Sequence, residues 1–307
     1  MDDQNNNARD PDVSLSIILP ALNEADNLSR LLPELKKAQP RAEIIVVNDG
    51  SSDDTLSVCR NFGVTTVSHP YSMGNGAAIK SGARAATGDV LVFMDADGQH
   101  QPGDIARLLE KMNDGFEMVV GARNPGSQSS WIRNIGNKFY NYLASFMTGY
   151  SIHDLTSGFR AVTRINFIRF LYLLPNRFSY PTTITMAFFR SGLPVAYVPV
   201  DVRTRIGKSH INLFRDGVRF FVIILKVGAL FSPMRLFLPI STFIFLTGMS
   251  YFIYTYINFG RFTNMSALLL LSALLVFLMG IMAEHIAFLN YKDVEQYRPD
   301  IRKSSRD

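Results

Sequence analysis

Two aspartates with one residue between them, Asp95 and Asp97, close the apolar run in VLVFMDADGQH, residues Val90 to His100. The five residues before them are all apolar and read as a strand covered on both faces. Two carboxylates at such a tip repel each other and resist burial unless a cation compensates them. Comparable polar residues end two earlier apolar runs: Asn23 and Glu24 follow LSIILPAL, and Asn48 and Asp49 close EIIVVND, while Gln99 follows the aspartate pair. A divalent metal suits this gathering. Magnesium takes one or two carboxylates together with substrate phosphate oxygens and neutralises charge on a departing diphosphate. An Asp-x-Asp triplet alone arises by chance about once in a chain of this length, so its weight comes from its place at the end of a buried strand.

Strands must present those tips. The chain alternates strand LSIILP, a helix from Asn27 to Ala38, strand EIIVVN, a helix after Asp53, short strand VTTVSH, a helix from Asn75 to Ala86, strand VLVFMD, a helix after Pro102 and strand EMVVGA. This predicts an α/β class domain, a mainly parallel sheet with helices on both faces. In such sheets ligands collect at the carboxyl ends of the strands. Other polar residues have local explanations. Asp53, with Asp54 beside it, reads as a helix N-cap. Gly74 and Gly76 read as a tight turn lacking the Lys-Ser/Thr ending of a P-loop. Lys80 reads as solvated, and His69 and His100 as supporting or surface groups.

Composition changes along the 307 residues, of which 47% are apolar. Up to about Ile211 charges are interspersed, whereas from Leu236 onward Leu, Phe, Ile and Met dominate. No charge lies between Arg235 and Arg261 or between Arg261 and Glu284. Each window exceeds the ~20 residues a helix needs to cross a bilayer, so a two-helix transmembrane hairpin is expected, linked around NFGRFTN. Glu284 and His285 near its end read as interfacial. Cations gather on both flanks: Arg215, Arg219, Lys226 and Arg235 before the hairpin, and Lys292, Arg298, Arg302, Lys303 and Arg306 after it. By the positive-inside rule both flanks, and the large N-terminal domain, are expected in the cytoplasm. At 100° per residue Arg215, Arg219 and Lys226 share one helical face, which predicts an amphipathic helix in the headgroup layer. The expected divisions are a disordered tail 1–12, a catalytic domain 13–210, an interfacial region 211–234, two transmembrane helices within 235–289 and a basic cytoplasmic tail 290–307.

The formal net charge of +5 is explained by these membrane flanks, and no aromatic-plus-basic module appears, so no nucleic-acid partner is expected. The single cysteine, Cys59, excludes an intrachain disulfide and a cysteine zinc cluster. The polar N-terminus carries no apolar run behind a basic cap, so no secretory signal is expected.

The stretches ILPALNEADNL, VVNDGSSDDT, GNGAAIKSGARAATGD, MDADGQH and VGAR resemble, in order and spacing, the family-2 glycosyltransferases with the GT-A fold. With WIRNIGNKFYNYLASFMTG, DLTSGFR, RTRIGKSH and the C-terminal hairpin, the chain is similar to polyprenyl-phosphate glycosyltransferases of the dolichol-phosphate-mannose synthase type. The likeness covers Ser14 to about His210. It implies a GT-A (Rossmann-like) domain followed by amphipathic interfacial helices and the hairpin. It also implies Mg2+ or Mn2+ as cofactor, and a nucleotide sugar, a polyprenyl phosphate and the bilayer as partners. Pro20, Leu22, Glu24, Val47, Asp49, Asp95, Ala96 and Arg123 would line the nucleotide-sugar pocket, with Arg205 and Lys208 joining them. Asp95, Asp97 and Gln99 would hold the metal.

The acceptor sets the catalytic requirement. A sugar hydroxyl needs a general base, whereas a lipid monophosphate, with a second pKa near ~6, attacks already ionised and needs cations instead. Arg133, Arg160, Arg203, Arg205 and Lys208 follow the aspartate pair, and arginine clamps phosphate with two parallel bonds. Arg133, Arg160, Arg203, Lys208 and His210 are thus candidates for the acceptor phosphate. The late basic loop reads Lys208-Ser209-His210 where relatives often end in Ser-Lys, so the contact falls to Lys208 or His210. Asp154 would orient Arg160 or act on the acceptor, and Asp95, Asp97, Arg133 and Asp154 form the expected catalytic set.

The expected activity is inverting transfer of a hexose-type sugar from a UDP- or GDP-sugar to the lipid phosphate. The alternatives are a glycan-extending synthase, disfavoured by the missing Gln-x-x-Arg-Trp signature, and a non-catalytic scaffold binding sugar nucleotides. Subunit number stays open, a homo-oligomer included.

Overall fold

The computed structural model describes residues 13–123, 131–177, 179–202, 221–226, 228–229 and 232–295. The chain divides into two compact units, one of residues Met1–Tyr142 with Ser151–Ile223, the other of Leu143–Tyr150 with Ile224–Asp307.

The first unit is built on a seven-stranded sheet of order β3-β2-β1-β4-β6-β5-β7. Its strands are β1 (Leu15–Ala21), β2 (Glu43–Asn48), β3 (Thr65–Ser68), β4 (Val90–Phe93), β5 (Met118–Arg123), β6 (Arg160–Thr163) and β7 (Val195–Val200). Helices α1 (Ala25–Ala38), α2 (Thr55–Asn61), α3 (Asn75–Ala85), α4 (Asp104–Asn113), α5 (Trp131–Thr148), α6 (Arg164–Arg169) and α7 (Tyr180–Arg190) connect them, the end of α5 falling in the second unit. Ile17, Ile18 and Leu19 of β1, Ile45, Val46 and Val47 of β2 and Leu91 to Phe93 of β4 are inaccessible to solvent. Continuous apolar runs of this kind belong to strands covered on both faces. Helix α1 buries Leu28, Leu31, Leu32 and Leu35, the one-sided spacing of a helix lying on a sheet.

Strands β1, β2, β3 and β4 are mutually parallel, with Ala21 level with Asn48 and Ile18 level with both Ile45 and Phe93. The chain runs outward from β1 to β3, then returns to place β4 on the other side of β1. That reversal is the switch point where parallel sheets open a ligand crevice. The tips of β1, β2 and β4 therefore share one edge. Strands β6 and β7 were not resolved by the sequence pattern. β6 is antiparallel to both β4 and β5, pairing its first residue Arg160 with Phe93 and with Val120. The segment before β6, DLTSGF, consequently arrives at the same edge as the β4 tip.

The second unit contains helices α8 (Pro233–Phe259) and α9 (Asn264–Glu295). Both contain stretches long and apolar enough to cross a membrane, Pro233–Phe259 and Asn264–Ala287. They form a hairpin whose turn begins at Gly260, in the left-handed conformation that ends α8, and α9 opens with the Thr263 hydroxyl accepting from the Ser266 N–H. A Cβ on Gly280 would lie 2.8 Å from Phe237 Cβ, so the helices touch there through a missing side chain. Glu284 is not a stray charge: its carboxylate accepts from the Met234 N–H in the first turn of α8, at 3.1 Å. Arg235 donates to the Phe146 carbonyl near the end of α5, at 2.6 Å.

Candidate active site

At the tip of β2, Asp49 is 4% exposed and its N–H bonds the Ala21 carbonyl of β1. Its Oδ1 accepts from His69 Nδ1 at 2.6 Å and the Met73 N–H at 2.8 Å. Its Oδ2 accepts from Ser72 Oγ at 2.9 Å and the Gly74 N–H at 2.8 Å. A carboxylate offers about four acceptor positions, so all are engaged by the protein. Because Asp49 only accepts, His69 Nδ1 is the donor between them, and the other ring nitrogen, Nε2, lies 2.8 Å from Ser81 Oγ. Burial raises the Asp49 pKa, but hydrogen bonds from His69 and the 73–74 backbone outweigh it and hold the carboxyl below its usual value. His69 is thus a support for Asp49. A base N–H would reach this carboxylate by replacing one of its donors.

The 72–74 turn is held from the other side as well. Gly74 has φ +103°, and a Cβ on Gly76 would lie 2.0 Å from the Pro175 carbonyl oxygen. The N–H groups of Gly76 and Ala77 at the start of α3 donate to the carbonyls of Arg177 and Asn176. Lys80 donates to the Leu174 carbonyl at 3.1 Å and to Asn176 Oδ1, so it braces this loop rather than standing in solvent.

Asp53 caps two helices at once. Its Oδ1 accepts from the Thr55 N–H at 3.1 Å, and its Oδ2 from the Ala25 N–H at 3.0 Å, although the N-cap position of α2 is Asp54. Beside it, Glu24 accepts from Asn27 Nδ2 at 2.6 Å. Of the other expected lining residues, Pro20 stands level with Val47 in the β1–β2 ladder, Leu22 is 45% exposed, and Val47 and Ala96 are buried.

Asp95, Asp97 and Gln99 follow β4 as partly exposed residues around the buried Ala96, and the Gln99 N–H donates to Asp97 Oδ1 at 3.2 Å. Their donor set is oxygen only, the chemistry that Mg2+ and Mn2+ accept. Among the described residues no group of three or more His, Cys, Asp or Glu side chains gathers at metal-binding spacing. Two carboxylates with an amide fit a cation that completes its shell with water and diphosphate oxygens.

Across the edge, Arg123 at the end of β5 pairs with Asp154 through Nε–Oδ2 at 2.9 Å and Nη2–Oδ1 at 3.0 Å. Asp154 Oδ1 also accepts from the N–H groups of Thr156 and Ser157, and Arg123 Nη2 donates to Thr156 Oγ1. Burial opposes the charge on Asp154, but the Arg123 hydrogen bond and charge prevail and lower its pKa. Among the described residues Arg123 Nη1 has no acceptor, which leaves two N–H donors for a phosphate oxygen. His100 is buried against the Phe159 ring, with centroids 4.8 Å apart. Burial, and secondarily Arg123, push its pKa down to about 4, so it is neutral.

Arg160 corrects an expectation. Proposed from sequence as a phosphate clamp, it is fully buried, donating to the Ser157 carbonyl, the Pro181 carbonyl at 3.3 Å and Thr185 Oγ1 at 3.0 Å. The reason is topological: it opens an interior strand and faces α7. Asp154 correspondingly orients Arg123, not Arg160. Arg133 lies on α5, and Arg203, Arg205, Lys208 and His210 lie outside the described residues, as do the 1–12 tail and most of the expected interfacial helix. Sequence reasoning missed Asn141, which donates to the His153 carbonyl at 2.7 Å and accepts from the Leu155 N–H, pinning the Asp154 loop. It also missed Tyr180, whose hydroxyl donates to the Gly158 carbonyl at 3.0 Å. Neither carries a local signal, since each acts on a loop far away in the chain.

Residues 16–170 match the model of glycosyl transferase family 2, and residues 232–289 match that of the GtrB C-terminal hairpin. The polyprenol monophosphomannose synthase of Mycolicibacterium smegmatis is 29% identical over 204 residues, covering 62% of this chain and 77% of that protein. The undecaprenyl-phosphate 4-deoxy-4-formamido-L-arabinose transferase of Proteus mirabilis is 31% identical over 160 residues, or 49% of each. Glucosyl-3-phosphoglycerate synthase of Mycobacterium tuberculosis, solved with Mn2+, UDP and glucosyl-3-phosphoglycerate, has a TM-score of 0.58 to this chain at 21% identity. That match covers 71% of this chain and 80% of the other and bears on the fold alone.

Proposed function

The chain belongs to glycosyl transferase family 2, and from that premise we propose that it transfers a hexose-type sugar from a nucleoside diphosphate sugar to a polyprenyl phosphate, dolichyl or undecaprenyl, at the cytoplasmic face of a membrane. One observation carries this reading. The oxygen-rich tip of β4 and the Arg123–Asp154 pair open on the same sheet edge, in a chain that also bears an apolar hairpin. The relatives that act on polyprenol and undecaprenyl phosphates support the acceptor.

A phosphate oxygen of the lipid attacks the anomeric carbon as the bond from that carbon to the diphosphate breaks, inverting the centre through an oxocarbenium-like state. The lipid phosphate arrives ionised and needs no base. Asp154 fits this requirement, because its acceptors are committed to Arg123 and to the backbone of its own loop. Arg123, held in place by that carboxylate, directs its remaining N–H donors at diphosphate oxygens. Asp95, Asp97 and Gln99 would hold the Mg2+ or Mn2+. When bound, that cation supplies charge neutralisation for the departing diphosphate. Arg133, Arg203, Arg205, Lys208 and His210 are proposed to screen the approaching phosphates.

The test is product analysis. Membranes containing the protein are incubated with polyprenyl phosphate and a panel of radiolabelled UDP- and GDP-sugars. One donor should give an acid-labile glycosyl phospholipid and free nucleoside diphosphate. Label in a glycan that resists mild acid would replace this reading with chain extension.

A further inference from the structure

The backbone that flanks Asp95 is itself held by buried side chains behind it. A Cβ on Gly158 would lie 3.0 Å from Asp95 Oδ2, so the bare backbone of residue 158 lies directly against the carboxylate. The carbonyl of Gly158 accepts from the Tyr180 hydroxyl at 3.0 Å, and the preceding carbonyl, of Ser157, accepts from Arg160. The ring of Tyr180 packs edge-on against Phe93, the last residue of β4, at 6.1 Å, and the Arg160 guanidinium lies 5.7 Å from the same ring. Tyr180 thus touches both the strand that leads into Asp95 and the loop that abuts it.

We infer that Tyr180 is a positioning residue for Asp95, acting through the Gly158 carbonyl, with Arg160 as the brace that fixes both. Gly158 completes the device by leaving room for the carboxylate. Tyr180 is 2% exposed, and burial pushes its phenol pKa well up, so the hydroxyl remains a donor throughout the working pH range. Partners that orient ligating carboxylates affect metal affinity without touching the metal. The inference rests on the proposed role of Asp95 at the donor site.

The experiment uses the full-length protein in detergent. UDP and GDP are each titrated calorimetrically, and whichever the wild type binds is then followed as a function of Mn2+ concentration. Tyr180→Phe removes only the hydroxyl, Gly158→Ala places a methyl against Asp95, and Thr183→Val removes a buried hydroxyl of the same helix that bonds the Ser179 carbonyl at 3.3 Å. Tyr180→Phe and Gly158→Ala should each raise the Mn2+ needed for half-maximal binding about tenfold. Thr183→Val should leave it within about twofold while lowering the melting temperature comparably to Tyr180→Phe. An unchanged Mn2+ dependence in both test variants, or an equal shift in Thr183→Val, overturns the inference. Asp95→Asn separates the two levels: if it too leaves Mn2+ dependence unchanged, the donor-site reading of Asp95 falls instead.

Discussion

The two units of this protein use the same apolar residues to opposite ends. In the sheet, Ile17, Val46 and Phe93 are wholly buried, whereas in the hairpin Phe243 is 73% and Ile257 75% exposed. Polar groups differ in the same way. In the first unit they bond across long stretches of chain: Asp49 reaches residues 20 to 25 positions away, and Asp154 reaches back 31 positions to Arg123. In the hairpin Ser241, Thr247 and Thr255 bond carbonyls three or four residues back in their own helix. A segment facing lipid has no water to satisfy its polar groups, so hydroxyls along its length bond their own helix, while Glu284 near the end of α9 caps the first turn of α8. A water-facing unit can spend its interior on distant connections, and those connections hold a site.

Perturbations should therefore separate the units. The largest effect is expected at Asp97, where Asp97→Asn should lower transfer by about 10²-fold or more, the scale of losing one charge-stabilising group. Its melting temperature and membrane fraction should match wild type, and near-normal turnover with purified lipid phosphate would remove the metal from the mechanism. Next is Asp154→Ala, which leaves Arg123 without its partner. Broken buried pairs cost about 3–5 kcal/mol, and the lower end applies because 27% of the Arg123 side chain stays exposed. Denaturant unfolding reads this directly.

Acid sharpens the same point. Asp49 and Asp154 both have pKa values lowered by folding. Each contributes stability that is complete above the unfolded carboxyl value of about 3.9 and is lost as pH falls through the folded value. Wild-type unfolding free energy should accordingly fall below about pH 4, and Asp154→Ala should show a shallower decline. The smallest effect is expected from Gly280→Leu. It overpacks the hairpin, costing about 1–3 kcal/mol, and should lower the detergent resistance of the hairpin while nucleotide binding by the first unit stays at wild-type affinity. A loss of nucleotide binding in that variant would break the division drawn between the units.

Much of this was legible in the chain. The runs LSIILP, EIIVVN and VLVF announce buried parallel strands because both faces are apolar, and the charge-free windows after Arg235 and Arg261 announce the two long helices. The Asp-x-Asp tip is readable because it interrupts a run that is otherwise buried. Arg160 was misjudged for a physical reason. An arginine in DLTSGFR looks like a surface cation until β6 is seen to enter the sheet between β4 and β5. Asp49 is legible as a carboxylate that ends a strand, and only the folded 72–74 turn shows which protein donors fill its four acceptor positions.

The sequence by itself determined the first five strands, which helices can live in lipid and which carboxylates end strands, because each follows from the polarity of residues close together in the chain. Only the tertiary structure decided that β6 runs antiparallel, that Asp154 holds Arg123, and that Tyr180 reaches Asp95 through Gly158. Those contacts join residues tens of positions apart, and their energies depend on burial and geometry that no local pattern records.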